Sequence, residues 1–569
     1  MLRRLIASLA APLLLAGCTT TQQAPPLASA FEKGMVSAAD PRAAEAGAEM
    51  LRKGGSASDA ALAVLLTLNV VEPQSSGIGG GGFLLVDDGK GGLETIDGRE
   101  TAPAAAHPRW FEMNGQFLSV PQAIPGGLSV GVPGNVRLMA ALHAKHGTLP
   151  WKDLFAPAIR AAHDGFAVTP RLREFLGRAR KTAALTPEGR ALYYGADGEP
   201  LPEGTVIRNP AFAAFLDRLA NEGPEAFYAG ANAEAIAQTV SRAPHNPAPM
   251  TVTDLAGYQA KPRAPVCTLY RKHRICGMGP PSSGATTVSG VLGQLERFDL
   301  TALGKDSPTA WHLIAEAQRL AYADRERYLA DSDFVTVPVA GLVSPAYLAA
   351  RSQLIAPDRT IAVAEPGNPP GAPAAQADTL TPDVPSTSHF VAIDRSGQTV
   401  TLTSTIEGAF GSGLIVNGYY LNNELTDFSL VPDRDGKPIA NRVEAGKRPR
   451  SSMAPTLVYG PDGKLRLAVG AAGGATIPAQ VLRAIIGVID WKLSAQDALA
   501  LPVVFAPGGD AVFVEKGSSL EAMIPALVAL GHASVTPREM PLKTNAIEVT
   551  GGKLAGAADP RSEGRAVSQ

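Results

Sequence analysis

The chain has 569 residues, of which 45% are hydrophobic and 18% charged, with 59 glycines and a formal net charge of −2. That balance excludes a disordered or coiled-coil chain and gives no electrostatic footing for nucleic acid. The length exceeds the usual single core, so one large layered fold or two domains is expected.

Arg3-Arg4, an apolar run from Leu5 to Leu15 and Leu15-Ala16-Gly17-Cys18 read as an export peptide, residues 1–17, which stands outside the fold. Its ending resembles the bacterial lipoprotein cleavage box, which implies that Cys18 becomes a lipidated first residue on a polar tether, residues 18–38. A plain secretory peptide leaves Cys18 bare. Either route places the chain in an oxidising compartment, the periplasm, with membrane contact only through a lipid anchor. No later apolar run predicts a membrane-spanning helix.

Asp40-Pro41 opens a helix that Gly54-Gly55 closes, and a second, apolar nearly all round, runs from about Ser58 to Val70. The run Gly77 to Gly82 fits G-x-G-x-x-G, but it follows a helix and opens the strand Phe83 to Val86, the reverse of a dinucleotide loop. Close backbone packing or unusual dihedrals explain these glycines instead. Cys267 and Cys276 flank a tight hairpin with Arg271-Lys272 at its tip, and pairing Tyr270 with His273 sets the cysteines opposite each other. A cross-strand disulfide and two buried free thiols both fit, whereas two cysteines without matched histidines give too few ligands for zinc. No metal or cofactor is called for. Ser307 caps a helix from Pro308 to Leu329, and residues 361–386, rich in Pro, Ala, Gly and Asp, read as an exposed flexible linker.

From Thr387 the chain turns strand-rich: His389 to Asp394, Thr399 to Thr405, Leu414 to Leu421, Met453 to Tyr459 and Leu465 to Val469, then helices Ile477 to Ile489 and Ser494 to Leu501 and terminal strands. Stacked antiparallel sheets covered by helices fit this order. At the junction, Ser386-Thr387-Ser388-His389-Phe390 reads as a buried self-cleavage site or as a Thr/Ser-rich edge strand. If the Ser386-Thr387 bond breaks, the Thr387 hydroxyl lies beside its own free amine, whose ordinary pKa of roughly 7.7 to 8 suits it to take the hydroxyl proton. Counting from a Ser396-Gly397 turn pairs Thr387 with Ile406 and Ser388 with Thr405.

Several stretches now coincide with one family: Asp97-Gly98-Arg99-Glu100-Thr101-Ala102-Pro103, Pro280-Pro281-Ser282-Ser283-Gly284, Thr387-Ser388-His389-Phe390, Leu421-Asn422-Asn423-Glu424-Leu425-Thr426-Asp427-Phe428 and Lys447-Arg448-Pro449-Arg450-Ser451-Ser452-Met453. The chain resembles the gamma-glutamyltransferases of the N-terminal nucleophile hydrolases. The resemblance implies an α+β fold, a four-layer αββα sandwich, cut into a large subunit, residues 18–386, and a small catalytic subunit, residues 387–569, that stay together as a heterodimer. It implies Thr387 as nucleophile in both self-cleavage and turnover, Gly473 and Gly474 as oxyanion donors, and Thr403 and Thr405 as the pair that orients the nucleophile. Arg99, Ser451 and Ser452 take the substrate carboxylate, and Glu424 and Asp427 its ammonium. The donor implied is a γ-glutamyl compound, glutathione first, and the acceptor water, an amino acid or a peptide.

Two departures stand out. The family commonly has Asn where Glu407 stands, which adds a carboxylate to the ammonium side, and Ser-Pro-Gly-Gly-Ser-Arg where this chain has Ala471-Ala472-Gly473-Gly474-Ala475-Thr476. His389 reads as structural, since the N-terminal amine already supplies the base. Leu430 to Gly446, at the place of the family's lid, lacks an aromatic latch, so an open site is expected. The rival readings are a related acylase and a processed but silent surface lipoprotein.

Overall fold

Side-chain alternation along two central strands sets the architecture. In the strand Gly81–Asp87, Leu84 and Val86 enter one core while Phe83 and Leu85 enter another; in Ser388–Ile393, Phe390 and Ala392 divide in the same way from Val391 and Ile393. Their sheet is therefore covered on both faces. The computed structural model of the protein describes residues 30–373, 376–378 and 386–569. The sheet has seven antiparallel strands in the order Arg565–Ser568, Met35–Ala38, Ser388–Ile393, Thr399–Thr405, Gly81–Asp87, Leu93–Gly98 and Lys261–Arg263. A second antiparallel sheet runs Lys553–Ala558, Lys543–Thr550, Leu465–Ala472, Thr456–Tyr459, His273–Gly277 and Val266–Tyr270.

Helices Pro41–Arg52 and Ala57–Val71 pack in the first core. The second core joins the two sheets and continues under helices Gly284–Leu295, Pro308–Tyr328 and Ile477–Ile489. The layers are thus helix, sheet, sheet, helix, the four-layer αββα sandwich expected. The caps follow the sequence: the Asp40 side chain accepts from Arg42 N, Ser56 and Asp59 form a capping box, and Ser307 precedes Pro308. Among the described residues no helix is long and apolar enough to cross a membrane.

Three expectations about the fold are corrected. The tether stops short of residue 38: Met35–Ala38 is a strand inserted between Arg565–Ser568 and Ser388–Ile393, because its short apolar run covers an otherwise open edge. Leu414 to Leu421 is not one strand but a hairpin, Ile415–Val416 with Tyr419–Tyr420, since Asn417 and Gly418 at φ 47° and 84° make a two-residue turn. The linker before the junction is irregular but not simply exposed: Ala364 and Ala377 are buried, Tyr328 donates to Gly367 O, and Arg327 pairs with Asp378. The export peptide, Cys18 and residues 379–385 lie outside the described residues. Cys276 pairs with Cys267 across the hairpin, and the two are joined as a disulfide.

Candidate active site

The register around Thr387 is set by the loop between two strands. Ser388 pairs with Ser404 and Ile393 with Thr399, one residue off the count made from a two-residue turn. The loop has three residues, Arg395 to Gly397; Asp394 Oδ1 accepts from Ser396 N and Gln398 N, and Gly397 takes φ 93°, which other residues adopt at a cost. The extra residue brings Thr387 level with Thr405 without a bulge. Thr387 Oγ1 donates to Thr405 Oγ1 at 3.3 Å, Thr405 Oγ1 donates to the Ser386 carbonyl at 2.7 Å, and Glu407 N–H donates to Thr405 Oγ1 at 2.8 Å. Thr405 therefore contacts both the Thr387 hydroxyl and the carbonyl of the residue before it. Ser386 is held too, its hydroxyl donating to Gln74 O.

Thr403 does not reach Thr387. It bonds His389 Nδ1 at 2.9 Å, with Thr401 near Nε2, and burial pushes the His389 imidazole down to about 3, so it stays neutral and structural. The Gly77 to Gly82 run serves this corner by close approach: a Cβ on Gly80 would stand 2.0 Å from Thr405 O.

Thr387, Thr405, Arg99, Glu407, Glu424, Asp427, Ser451, Ser452, Met453, Gly474 and Ile477 line one cavity of ≈ 20 Å³, room for about one water. The expected open site is not what the uncut chain has. Arg99, at the end of the Leu93–Gly98 strand, pairs with Glu424 and Asp427, while its Nε and Nη2 also donate to Pro449 O and Arg450 O. The cationic and anionic halves of the pocket thus neutralise each other. Burial alone would lower Arg99, but Glu424, Asp427 and Glu100 outweigh it and hold it above its usual value. Ser452 Oγ accepts from Arg325 Nη2 at 2.6 Å, and Ser451 Oγ accepts from Met453 N at 3.2 Å. Glu407, buried at φ 73°, accepts from Asn423 Nδ2 at 2.5 Å.

Gly473 and Gly474 turn the strand Leu465–Ala472 into the helix Ile477–Ile489. Gly473 takes φ 135°, and a Cβ there would stand 2.5 Å from Pro541 O. Backbone N–H groups at a helix start favour developing negative charge. The turn has its own support: Thr476 Oγ1 donates to Gly473 O at 2.8 Å, and Gln480 Nε2 donates to Ala472 O at 2.8 Å and to Thr476 Oγ1 at 3.0 Å.

Two groups were not singled out from sequence. Glu100, beside Arg99, is fully buried; burial pushes its carboxyl up to about 7, with Arg99 opposing. Burial first, opposed by Arg99 and reinforced by the neighbouring carboxylates, also holds Glu424 above its usual range. The second is Lys543. Its Nζ lies 2.7 Å from both Glu72 carboxylate oxygens, 3.2 Å from Thr387 O and 3.3 Å from Ser388 Oγ. A charged residue opening an apolar strand, and a glutamate ending an apolar helix, were the signals available.

Among the described residues one group has metal-ligand chemistry, His312, Glu316 and His532. Its donor atoms are already engaged: His312 Nδ1 and His532 Nε2 share a hydrogen bond at 2.8 Å, and the Glu316 oxygens accept from Arg319 Nη1 and Ile361 N.

A sequence profile described as gamma-glutamyltranspeptidase matches residues 43–569. The glutathione hydrolase proenzyme of Bacillus subtilis (strain 168) is 35% identical over 546 residues, covering 94% of this chain and 91% of its own. That of Escherichia coli (strain K12) is 36% identical over 547 residues, covering 93% and 91%. The crystal structure of a cephalosporin acylase from Bacillus halodurans superposes with a TM-score of 0.83 at 27% identity, covering 97% of this chain and 99% of that one.

Proposed function

The chain belongs to the gamma-glutamyltranspeptidase family, and from that premise we propose that it cuts itself at Ser386-Thr387 and then uses Thr387 to move the γ-glutamyl group of glutathione to water, an amino acid or a peptide. The observation that carries this reading is the contact of Thr405 with both the Thr387 hydroxyl and the Ser386 carbonyl.

In self-cleavage, Thr387 Oγ attacks the Ser386 carbonyl carbon and the oxyanion forms against the Thr405 hydroxyl. Collapse breaks the bond to Thr387 N, which takes up the proton that left Oγ, and the resulting ester is hydrolysed by water to a Ser386 carboxylate and a free Thr387 amine. In turnover that amine takes the hydroxyl proton as Oγ attacks the γ-amide carbon. The oxyanion now meets the N–H groups of Gly473 and Gly474, and the leaving amine departs with a proton from the Thr387 ammonium. The γ-glutamyl ester on Thr387 then passes to the acceptor. Arg99, with Ser451 and Ser452, takes the α-carboxylate of the donor, and Glu424, Asp427 and Glu407 its ammonium. The two products of the cut are the large subunit, residues 18–386, and the small one, residues 387–569.

The same reading extends to export: residues 1–17 are removed, Cys18 becomes the lipidated first residue, and the enzyme works in the periplasm. Arg3-Arg4, the apolar run and Leu15-Ala16-Gly17-Cys18 support this.

Acylase activity is the second reading, favoured by the match along the whole length of the cephalosporin acylase. Chromogenic γ-glutamyl and glutaryl anilides separate the two. Turnover of the γ-glutamyl anilide by cut protein, and a single inactive chain for Thr387→Ala by intact mass, are expected; glutaryl-only turnover selects the acylase, and an active uncut chain refutes the mechanism.

A further inference from the structure

Lys543 stands at a junction that the reaction just described does not use. It opens the strand Lys543–Thr550 beside Ala472, and its backbone N–H donates to Gln480 Oε1 at 3.0 Å. The other end of that amide holds Ala472 O and Thr476 Oγ1, the supports of the Gly473-Gly474 turn. Its side chain reaches the other way, to Thr387 O and Ser388 Oγ, with Glu72 as counter-ion, and Glu72 also accepts from Ser388 Oγ at 2.6 Å. Lys543 and Glu72 are both essentially without solvent exposure. Lys543 belongs to the small subunit and Glu72 to the large one, so the pair also crosses the future subunit boundary.

We propose that Lys543 is a positioning residue: paired with Glu72, it fixes the Thr387 carbonyl and, through Gln480, the Gly473-Gly474 turn, so that nucleophile and oxyanion donors keep one spacing before and after the chain is cut. The need arises from the cut itself. Once the Ser386-Thr387 bond is gone, Thr387 is tethered on one side only, and Thr405 loses the Ser386 carbonyl that it held. The Lys543 bond to Thr387 O survives, because it lies on the retained side of the break.

A consequence concerns the new amine. The Lys543 ammonium, 3.2 Å from the Thr387 carbonyl oxygen, acts on the amine of the same residue. A like charge there favours the neutral amine, the form that accepts the hydroxyl proton. Other charged groups bear on the same place: Glu72 and, behind it, Arg171 and Asp40 around Lys543, and Arg99, Glu100, Glu407, Glu424 and Asp427 across the cavity. Removing Lys543 takes away the cation and so raises the amine's pKa.

The inference rests on Thr387 being the nucleophile, and the experiment separates the two. The full chain is prepared as wild type, Lys543→Met, Lys543→Arg and the charge-neutral Glu72→Gln/Lys543→Met double variant, which keeps the protein folded if an unpaired Glu72 does not. Self-cleavage is followed by intact mass, which needs no donor, and the cut enzymes are assayed with a γ-glutamyl anilide across pH. Cleavage by Lys543→Met and by the double variant is expected to slow by roughly 10²-fold, the scale of a misplaced reacting group. In the cut Lys543→Met enzyme, kcat falls with KM little changed, and the acid limb of kcat/KM moves to higher pH; Lys543→Arg restores part of both. Wild-type cleavage by the folded double variant overturns the inference, as does a kcat loss in Lys543→Met with an unmoved acid limb and no rescue by Arg. A wild type that cuts itself but turns over no γ-glutamyl donor refutes the proposed function instead, and the cleavage rates still decide the role of Lys543.

Discussion

Thr405→Val isolates the chemistry of self-cleavage in a single hydroxyl. Valine has nearly the same shape, so packing against the Gly80 corner is kept while three hydrogen bonds go: the donation to Ser386 O at 2.7 Å, the acceptance from Glu407 N at 2.8 Å and the contact with Thr387 Oγ1 at 3.3 Å. The first faces the developing oxyanion, and loss of one such donor costs roughly 10²–10³ in rate, about 2.7–4 kcal/mol. The second leaves a buried N–H without its acceptor, about 1–3 kcal/mol of stability. Thr405→Ser keeps the hydroxyl and serves as the control. The assay is a time course of intact mass on freshly refolded precursor, with thermal unfolding in parallel to confirm the fold. Thr405→Val is expected to cut at least about a hundredfold more slowly than wild type, and Thr405→Ser to stay much nearer to it. Cleavage of folded Thr405→Val at the wild-type rate would refute the role of Thr405 at the Ser386 carbonyl.

Glu407→Asn keeps a partner for Asn423 but removes one carboxylate from the ammonium side, so kcat/KM for a γ-glutamyl anilide should fall roughly tenfold, about 1.4 kcal/mol, relative to a glutaryl anilide; constants unchanged for both donors would place Glu407 outside the pocket. Glu100 gives a pH test in the uncut Thr387→Ala background. Its folded value of about 7 lies above the usual 4.5, so between those values the folded chain holds a proton that the unfolded chain has released, and stability falls as pH rises. At about 1.36 kcal/mol per unit, the difference of about 2.5 units gives on the order of 3 kcal/mol lost by pH 8. Glu100→Gln should therefore raise the unfolding temperature at pH 8 and narrow the gap between pH 5 and pH 8, and an equal gap in both proteins would contradict it.

The caps, the apolar helix Ala57–Val71 and the strand Thr399–Thr405 were legible because local patterns dictate them. The direction of the Gly77 to Gly82 loop was legible too, since helix-then-strand is written in the residue order. The register at Thr387 was not, because it depends on whether the connecting loop has two or three residues, and Ser396-Gly397 is compatible with either until the Asp394 bonds are seen. Met35–Ala38 carries too few residues to announce a strand, and it becomes one only because the Ser388–Ile393 edge awaits a partner. Motif resemblance found Arg99, Glu424 and Asp427 but not Lys543, whose role exists only in the contact between two sheets.

The pocket, expected open from its motifs, is closed in the uncut chain for an electrostatic reason. Motifs give the charges that meet a zwitterionic head group; they do not say what those charges do before it arrives. In the uncut chain Arg99 meets Glu424 and Asp427, which is the pairing that leaves the fewest uncompensated charges in a cavity of ≈ 20 Å³. On the proposed function, an α-amino acid head group would exchange into this arrangement like for like, its carboxylate replacing theirs on Arg99 and its ammonium replacing the guanidinium on them, so no buried charge would be left alone. A glutaryl group has only the carboxylate. It would take Arg99 and strand the carboxylates, and an uncompensated buried charge typically costs about 3–5 kcal/mol. The closed pocket therefore weighs toward the γ-glutamyl donor, and Glu407, by adding a further carboxylate beside Glu424, increases that bias.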